Sequence, residues 1–436
     1  SDICIIGSGM SAQVLAFKLG SNKKITIVES GKLFFEKKIQ DLNIYDEIGI
    51  PFRKNHVNRV RQLGGSANLW ANQLMVLKKD EILNRDWVTK DFSWPFKYSE
   101  LSSYYDEVIK KVYNNHFKNL DYLNPVEENR RNLFLEKDFL QNDNFEFQNS
   151  FWPSRVEKFN KNSNFTKRII YSKNIEFFEF FTATDIEIDK ELQSVISIKI
   201  QSENKSCKIK SKLFILACGA LENARILLNN AKNNKLLMNY HTGKYLMDHP
   251  RVNLGILKSK KKLPLSLLFG IKYNKYDFRK TIQLSSEYRN NKKILDAHAY
   301  LDPKFNDNDQ INFENFLSEI KKIVKLKGMP MLNFKDFSLK KIFEQVYLKL
   351  SPQISNSILN NFLRKIFEKE NYFLEFDEME INYQSEQYPN VDSKIFLSKK
   401  KDNFNQNKLI IDWKLHDTDY TSLNEFVKVL NESYKK

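Results

Sequence analysis

Apolar residues near the start of the chain come in short blocks that switch between two periods. Ile3-Cys4-Ile5-Ile6 is continuous, as in a strand buried on both faces. Val14, Leu15 and Leu19 then fall at helical spacing within Gln13–Leu19, and a second continuous run, Ile25-Thr26-Ile27-Val28, ends at Glu29. The pattern predicts strand, turn, helix, strand. Leu213–Leu216 leads through Ala217-Cys218-Gly219-Ala220 into the helix-like Leu221–Asn230, a further strand-to-helix turn. Later, Thr281–Tyr288 and Tyr372–Tyr383 read as strands, and Leu295–Tyr300 alternates as a strand does. Phe313–Phe367 holds two stretches with apolar residues at helical spacing beside lysines, such as Phe316, Ile320 and Ile323 with Lys321 and Lys325. That is the pattern of helices covering a sheet with their charges solvated; a membrane-surface helix, a lid or a docking face are the other readings. No apolar run approaches 18 residues, so no transmembrane segment is expected.

The first turn reads Gly7-Ser8-Gly9-Met10-Ser11-Ala12. Gly7 permits a tight turn, Gly9 lets a diphosphate reach the amides that open the helix, and Ala12 is small enough for helix and strand to pack closely. Glu29 follows Gly9 by 20 residues and ends the second strand. There its carboxylate can accept hydrogen bonds from ribose hydroxyls, and its charge repels a 2′-phosphate. Gly7, Ser8, Gly9, Met10, Ser11 and Glu29 are therefore candidate cofactor-binding residues of a dinucleotide site, against the plain alternative of a structural βαβ turn. The chain has only 12 glycines, against about 30 at typical usage. Seven precede residue 66, so a backbone in this region approaches something closely.

The next cluster, Arg59-Val60-Arg61-Gln62-Leu63-Gly64-Gly65-Ser66-Ala67-Asn68-Leu69-Trp70, makes a loop able to lie flat against a large planar ligand; taken alone it also fits a β-turn. Gly64, Gly65, Ser66 and Asn68 join the candidates, as do Ala217 and Gly219 from the late turn. That turn arrives some 150 residues after Gly64, so the nucleotide domain is discontinuous. A compact NAD domain repeats βα units without so long a gap.

Composition narrows the alternatives. A chain of 436 residues predicts two or three domains, and 41% hydrophobic with 28% charged residues excludes wholesale disorder. The net charge of +16 is spread along the chain without a zinc-finger spacing, an RNA-binding aromatic motif or a basic zipper, so no nucleic-acid partner is expected. Cys4, Cys207 and Cys218 form neither a disulfide framework nor a metal-ligand cluster, and no metal is expected.

Seven segments, taken in order, resemble the glucose-methanol-choline (GMC) family of FAD-dependent oxidoreductases. They are Gly7–Ala12 with Glu29, Gly64–Trp70, Trp94–Leu101 running into Tyr104-Tyr105, Ala217–Leu228, Gly243–Pro250, Glu386–Asn390 and Ile411-Asp412-Trp413. The Gly64–Trp70 loop most resembles the sugar- and polyol-oxidising branches, including bacterial dehydrogenases of the fructose and gluconate type. The resemblance implies an α/β fold: a FAD/NAD(P)-binding Rossmann-like domain from residues 1–95 and 165–250, joined by a helical and looped segment, 96–164. A second, α+β substrate domain built on an antiparallel sheet would span 251–400, with 401–436 returning toward the FAD domain. It also implies oxidation of a CH–OH group of a sugar, polyol or related alcohol with flavin as hydride acceptor, and an acceptor other than oxygen. An electron-acceptor protein is then a candidate partner. Relatives that bind FAD covalently through this loop carry a His where this chain has Leu69, so FAD is expected to be non-covalent. The family's catalytic His, its Gly-Thr motif and its partner His or Asn do not occur before Lys436, and the catalytic residues are expected beyond it.

None of His56, His116, His241, His249, His298 and His416 is assigned as catalytic base. His249, in the Asp-His-Pro turn, is expected to be structural, and His298 is the one with a strand position that could face substrate. Glu222 and Arg225 are expected to pair on their helix's surface, while Trp94-Pro95 and Tyr104-Tyr105 are expected to be scaffold. Two alternatives stand beside the enzyme: an inactive or truncated flavin-fold protein that binds nucleotide or a partner without turnover, and an NAD-dependent dehydrogenase. The expected location is the cytoplasm, with room for a leader ahead of Ser1.

Overall fold

The computed structural model describes residues 1–52, 59–69, 77, 82, 85, 87–88, 94–112, 144–153, 159, 161–231, 234–237, 239–264, 276–303 and 375–434. Trp70, His56, His116 and the lysine-rich stretch Phe313–Phe367 lie outside the described residues. β1 (Ile3–Ile6) runs into α1 (Met10–Leu19) and returns through β2 (Ile25–Glu29), parallel to β1. The short α2 (Lys37–Gln40) and β3 (Tyr45–Glu47) follow, then α3 (Tyr98–Val112), β4 (Phe145–Pro153) and α4 (Asn164–Ile170). β5 (Ile175–Glu179) pairs with β2, again in parallel. An antiparallel meander, β6 (Thr182–Asp189), β7 (Ser194–Gln201) and β8 (Ser206–Lys210), leads to β9 (Leu213–Leu216) on the other edge of β1, and then to α5 (Ala220–Ala231).

Among the described residues this gives a parallel sheet in the order β5-β2-β1-β9. Successive residues of a strand face opposite sides, so Ile3 and Ile5 join one apolar cluster while Cys4 and Ile6 join another. The first cluster lies under α1 and α4 through Ala12, Ala16, Phe165 and Ile169. The second lies under the β6–β8 meander and α5, through Ile198, Ile200, Ile209 and Ile226. Cover on both faces is why β1 and β2 carry almost no polar residue before Glu29.

The remaining elements are β10 (Arg251–Pro264), β11 (Tyr276–Leu284), α6 (Ser286–Lys292), β12 (Ala297–Pro303), β13 (Glu375–Ser385), β14 (Lys394–Lys401), β15 (Asn407–Asp412) and α7 (Asp417–Tyr434). An antiparallel sheet in the order β10-β13-β12-β11-β4 packs Ala299, Leu301, Met379, Ile381 and Tyr383 against Phe426, Val429 and Leu430 of α7. A second α+β layer thus sits beside the Rossmann-like one. No described helix is long and apolar enough to cross a membrane.

Three segments depart from the sequence reading. Residues 145–153, inside the stretch read as helical and looped, form β4 and pair with β11 along its whole length. The strand read as far as Tyr288 stops at Leu284, because the Ser285 hydroxyl accepts the Tyr288 amide at 3.3 Å and caps α6. The stretch 401–436 divides: β15 pairs in parallel with β3, while α7 covers the antiparallel sheet.

Candidate functional site

β1 ends at Ile6, and the chain turns at Gly7 with a φ of 102°, open essentially to glycine alone. A Cβ on Gly7 would sit 2.5 Å from the Ala217 carbonyl oxygen, because β9 runs alongside. Gly9 has no such local need. Its φ is −65°, and an added Cβ would meet no atom within 4 Å. What glycine preserves there is space, and that space belongs to a cleft.

α1 begins at Met10 without a side-chain cap. The Gln13 amide is the first to bond back, to Gly9 O at 3.0 Å, leaving the preceding amides without an intrahelical partner. Together with the helix dipole they favour an anion at this end. The Gly64 loop closes over the same turn: the Gly64 amide donates to Ser8 O at 3.1 Å, and Gly9 and Gly64 form an isolated bridge. Gly64 and Gly65 both have positive φ, and a Cβ on Gly64 would collide with the Phe159 carbonyl. Asn68 stands behind the loop, its Nδ2 donating to Leu63 O at 3.0 Å and Gly65 O at 2.9 Å. Buried Gln13 stitches the layers together: its Nε2 donates to Ser8 O at 3.0 Å and Phe159 O at 2.8 Å, and its Oε1 accepts from Thr166 Oγ1 at 2.7 Å.

The cleft bounded by these turns has a volume of about 370 Å³, within the usual range for small-ligand sites. Gly7, Ser8, Gly9, Met10, Ser11, Glu29, Gly64, Gly65, Ser66, Ala217 and Gly219 all line it. Asn68 alone of the sequence candidates does not. Glu29 is buried, and its carboxylate accepts from the Ser8 amide (3.0 Å), the Ser8 hydroxyl (2.7 Å) and the Gly31 amide (2.7 Å). Burial raises its pKa, against the lowering effect of those bonds and of Arg61. With about four lone-pair directions on a carboxylate, roughly one remains for a ribose hydroxyl.

Sequence reasoning missed the opposite wall: Arg59, Arg61, Thr182 and Glu222. Glu222 and Arg225, expected on the helix surface, are 8% and 4% exposed. The β14–β15 pair covers their face of α5, where Leu221 and Ala224 pack with Ile395 and Leu409. Arg61 Nη2 lies 2.7 Å from Glu222 Oε2, Arg225 Nη1 3.1 Å from Glu222 Oε1, and Arg225 also pairs with Asp402. Burial alone would push the Glu222 carboxyl up, but the guanidinium groups of Arg61, Arg225 and Arg59 outweigh it and hold the pKa at about 2. Burial brings Arg59 down to about 10 despite the nearby Glu222. Thr182 Oγ1 and both Nε and Nη1 of Arg59, all buried on this wall, make no hydrogen bond among the described residues. Orphaned donors, open space at Gly9 and the amides of α1 together suit a ligand with a diphosphate and a polar nucleoside.

The other motif residues mostly join the layers. Gln387 Oε1 accepts from the Asp248 amide at 3.0 Å and the Trp413 indole at 2.9 Å, uniting three of the late segments. His249 is exposed, with its amide bonded to the Asp248 carboxylate. His298 lies on β12, its ring edge-on to Tyr300 at 4.8 Å. Trp94 and Tyr104 are 49% and 61% exposed, so neither is buried scaffold.

No family model matches the chain, and no curated protein does. Similar solved structures include pyridoxine 4-oxidase from Mesorbium loti, at 12% identity over 100% of this chain and 79% of that one, TM-score 0.47. They also include formate oxidase from Aspergillus oryzae, in a variant made to study FAD modification, at 13% identity over 99% of this chain and 80% of that one, TM-score 0.48.

Proposed function

We propose that the chain binds FAD non-covalently in the manner of a GMC oxidoreductase and serves oxidation of a CH–OH group in a sugar, polyol or related alcohol. The observation that carries this reading is Gly9: a glycine with ordinary φ and open space at its Cβ position, at the mouth of α1 and facing the cleft that Glu29 lines. The order of the seven sequence segments supports the family, and Leu69 offers no nucleophile for a covalent flavin link.

When bound, FAD supplies the two-electron acceptor for the carbinol hydrogen. The chain's residues bind and orient. The amides of Met10 and Ser11 would take the diphosphate, and the remaining lone pair of Glu29 a ribose hydroxyl. Gly64 and Gly65, without side chains, allow a planar group to lie against the loop. No histidine is assigned as base.

The test is to release and identify the coenzyme of the purified full-length protein, then add candidate alcohols and sugars anaerobically. A flavin spectrum that bleaches with a CH–OH donor is the expected result. A released nicotinamide coenzyme, or a flavin that no alcohol or sugar bleaches, overturns the corresponding half of the proposal.

A further inference from the structure

The cationic wall of the cleft is unevenly matched. Arg61 is fully engaged: Nε donates to Asn43 Oδ1 at 2.9 Å, Nη1 to Ser30 Oγ at 2.9 Å, and Nη2 pairs with Glu222. Arg225 shares Glu222 and has Asp402 as well. Arg59 is held but not saturated. Its Nη2 donates to Asn43 O at 2.6 Å, its Cζ lies 5.6 Å from the centre of the Tyr45 ring, and Nη1 is 3.8 Å from Glu222 Oε2. Three contacts fix the guanidinium plane, yet Nε and Nη1, both buried, make no hydrogen bond among the described residues. Glu222 Oε2 already takes Arg61 at 2.7 Å, so Arg59, 3.8 Å from that same oxygen, has no carboxylate of its own.

Position says which part of a ligand this wall meets. Arg61 ties it to Ser30, next to Glu29 at the end of β2. Thr182, 6% exposed with an unpartnered hydroxyl, follows Phe181, whose amide donates to Glu29 O at 3.0 Å. Thr182 therefore lies at the Glu29 end, the ribose side of a dinucleotide laid across β1, and Arg59 lines the same cleft, joined to that end through Glu222 and the Arg61 that bonds Ser30. A buried donor left unbonded costs about 1–3 kcal/mol, so a ligand acceptor that meets it gains that difference.

We infer that Arg59, assisted by Thr182, recognises the adenosine half of the coenzyme, its Nε and Nη1 donating to acceptor atoms of the purine or its ribose. Arg59 is thus a positioning and specificity residue that selects an adenine dinucleotide over a flavin mononucleotide. This rests on the dinucleotide reading above and adds the part of the ligand that each wall takes.

The experiment is a set of titrations of the apoprotein, wild type, Arg59→Met and Thr182→Val, with FAD, ADP and FMN, which has the flavin and one phosphate but no adenosine. Arg59→Met should weaken FAD and ADP about tenfold to a hundredfold and leave FMN unchanged. Thr182→Val, nearly isosteric, should weaken FAD and ADP a few fold. Arg59→Lys keeps the charge without the planar fork and should restore only part of the loss. Should Arg59→Met fail to fold, judged by its urea transition, Thr182→Val carries the same comparison. Unchanged ADP and FAD affinities, or a parallel loss of FMN, would overturn the inference. A wild type that binds ADP but not FAD overturns the flavin assignment and leaves Arg59 standing; one that binds neither overturns both.

Discussion

Replacing each of the two cleft glycines with alanine separates the fold from the ligand. At Gly7 the backbone has a φ of 102°, and the new methyl would lie 2.5 Å from the Ala217 carbonyl oxygen. Positive φ costs a non-glycine residue about 1–2 kcal/mol, and the overlap adds about 1–3 kcal/mol. Gly7→Ala should therefore lose about 2–5 kcal/mol of stability. At Gly9 the dihedrals are ones alanine adopts freely, with φ −65° and ψ −179°, and the methyl meets nothing within 4 Å. Gly9→Ala should fold as well as wild type, or gain about 0.4–1 kcal/mol by narrowing the unfolded ensemble. The methyl would occupy the diphosphate seat, however, and overfilling of that kind costs about 1–3 kcal/mol, roughly fivefold to over a hundredfold in FAD affinity. Urea unfolding of the apoproteins and flavin titration read the two effects independently. A Gly9→Ala protein that binds FAD as tightly as wild type refutes the placement of the diphosphate.

Other perturbations probe the supporting structure. The Glu222 carboxyl, held at about 2 against an ordinary 4.5, contributes stability that is present above pH 4.5 and lost as pH falls toward 2. The contribution is on the order of 3 kcal/mol. Urea midpoints followed across that window should fall for wild type and stay flatter for Glu222→Gln; equal slopes would show that the arginine cluster does not hold the carboxyl down. Gln13→Leu leaves the Ser8 and Phe159 carbonyls without their donor and should destabilise by about 2–4 kcal/mol in denaturant titration, with no loss refuting the stitching role. Phe426→Ala, at the centre of the antiparallel unit, should lose about 3–5 kcal/mol in the same assay. A loss below 1 kcal/mol would mean that α7 does not seal that core.

What the sequence revealed was local. The β1–α1–β2 unit and its glycines were legible because strand period, helix period and turn chemistry agree within thirty residues. β4 was not, since its ladder partner β11 is more than a hundred residues away and its own stretch is rich in Asn, Phe and charge. Arg59 and Arg61 stood in view beside the Gly64 loop, but their value depends on Glu222, far along the chain. The three-residue spacing of Glu222 and Arg225 suggested a surface pair; it could not show that β14 and β15 would bury them. His298 alternates correctly on its strand, yet spacing says nothing of what faces the ring.

Hydrogen–deuterium exchange on the apoprotein with and without FAD tests the central claim most directly. Slower exchange is expected at the amides of Met10, Ser11 and Ala12 and across Gly64–Ala67, where the diphosphate and its neighbouring group would lie. Unchanged exchange there under saturating FAD, or protection confined to another part of the chain, would contradict it.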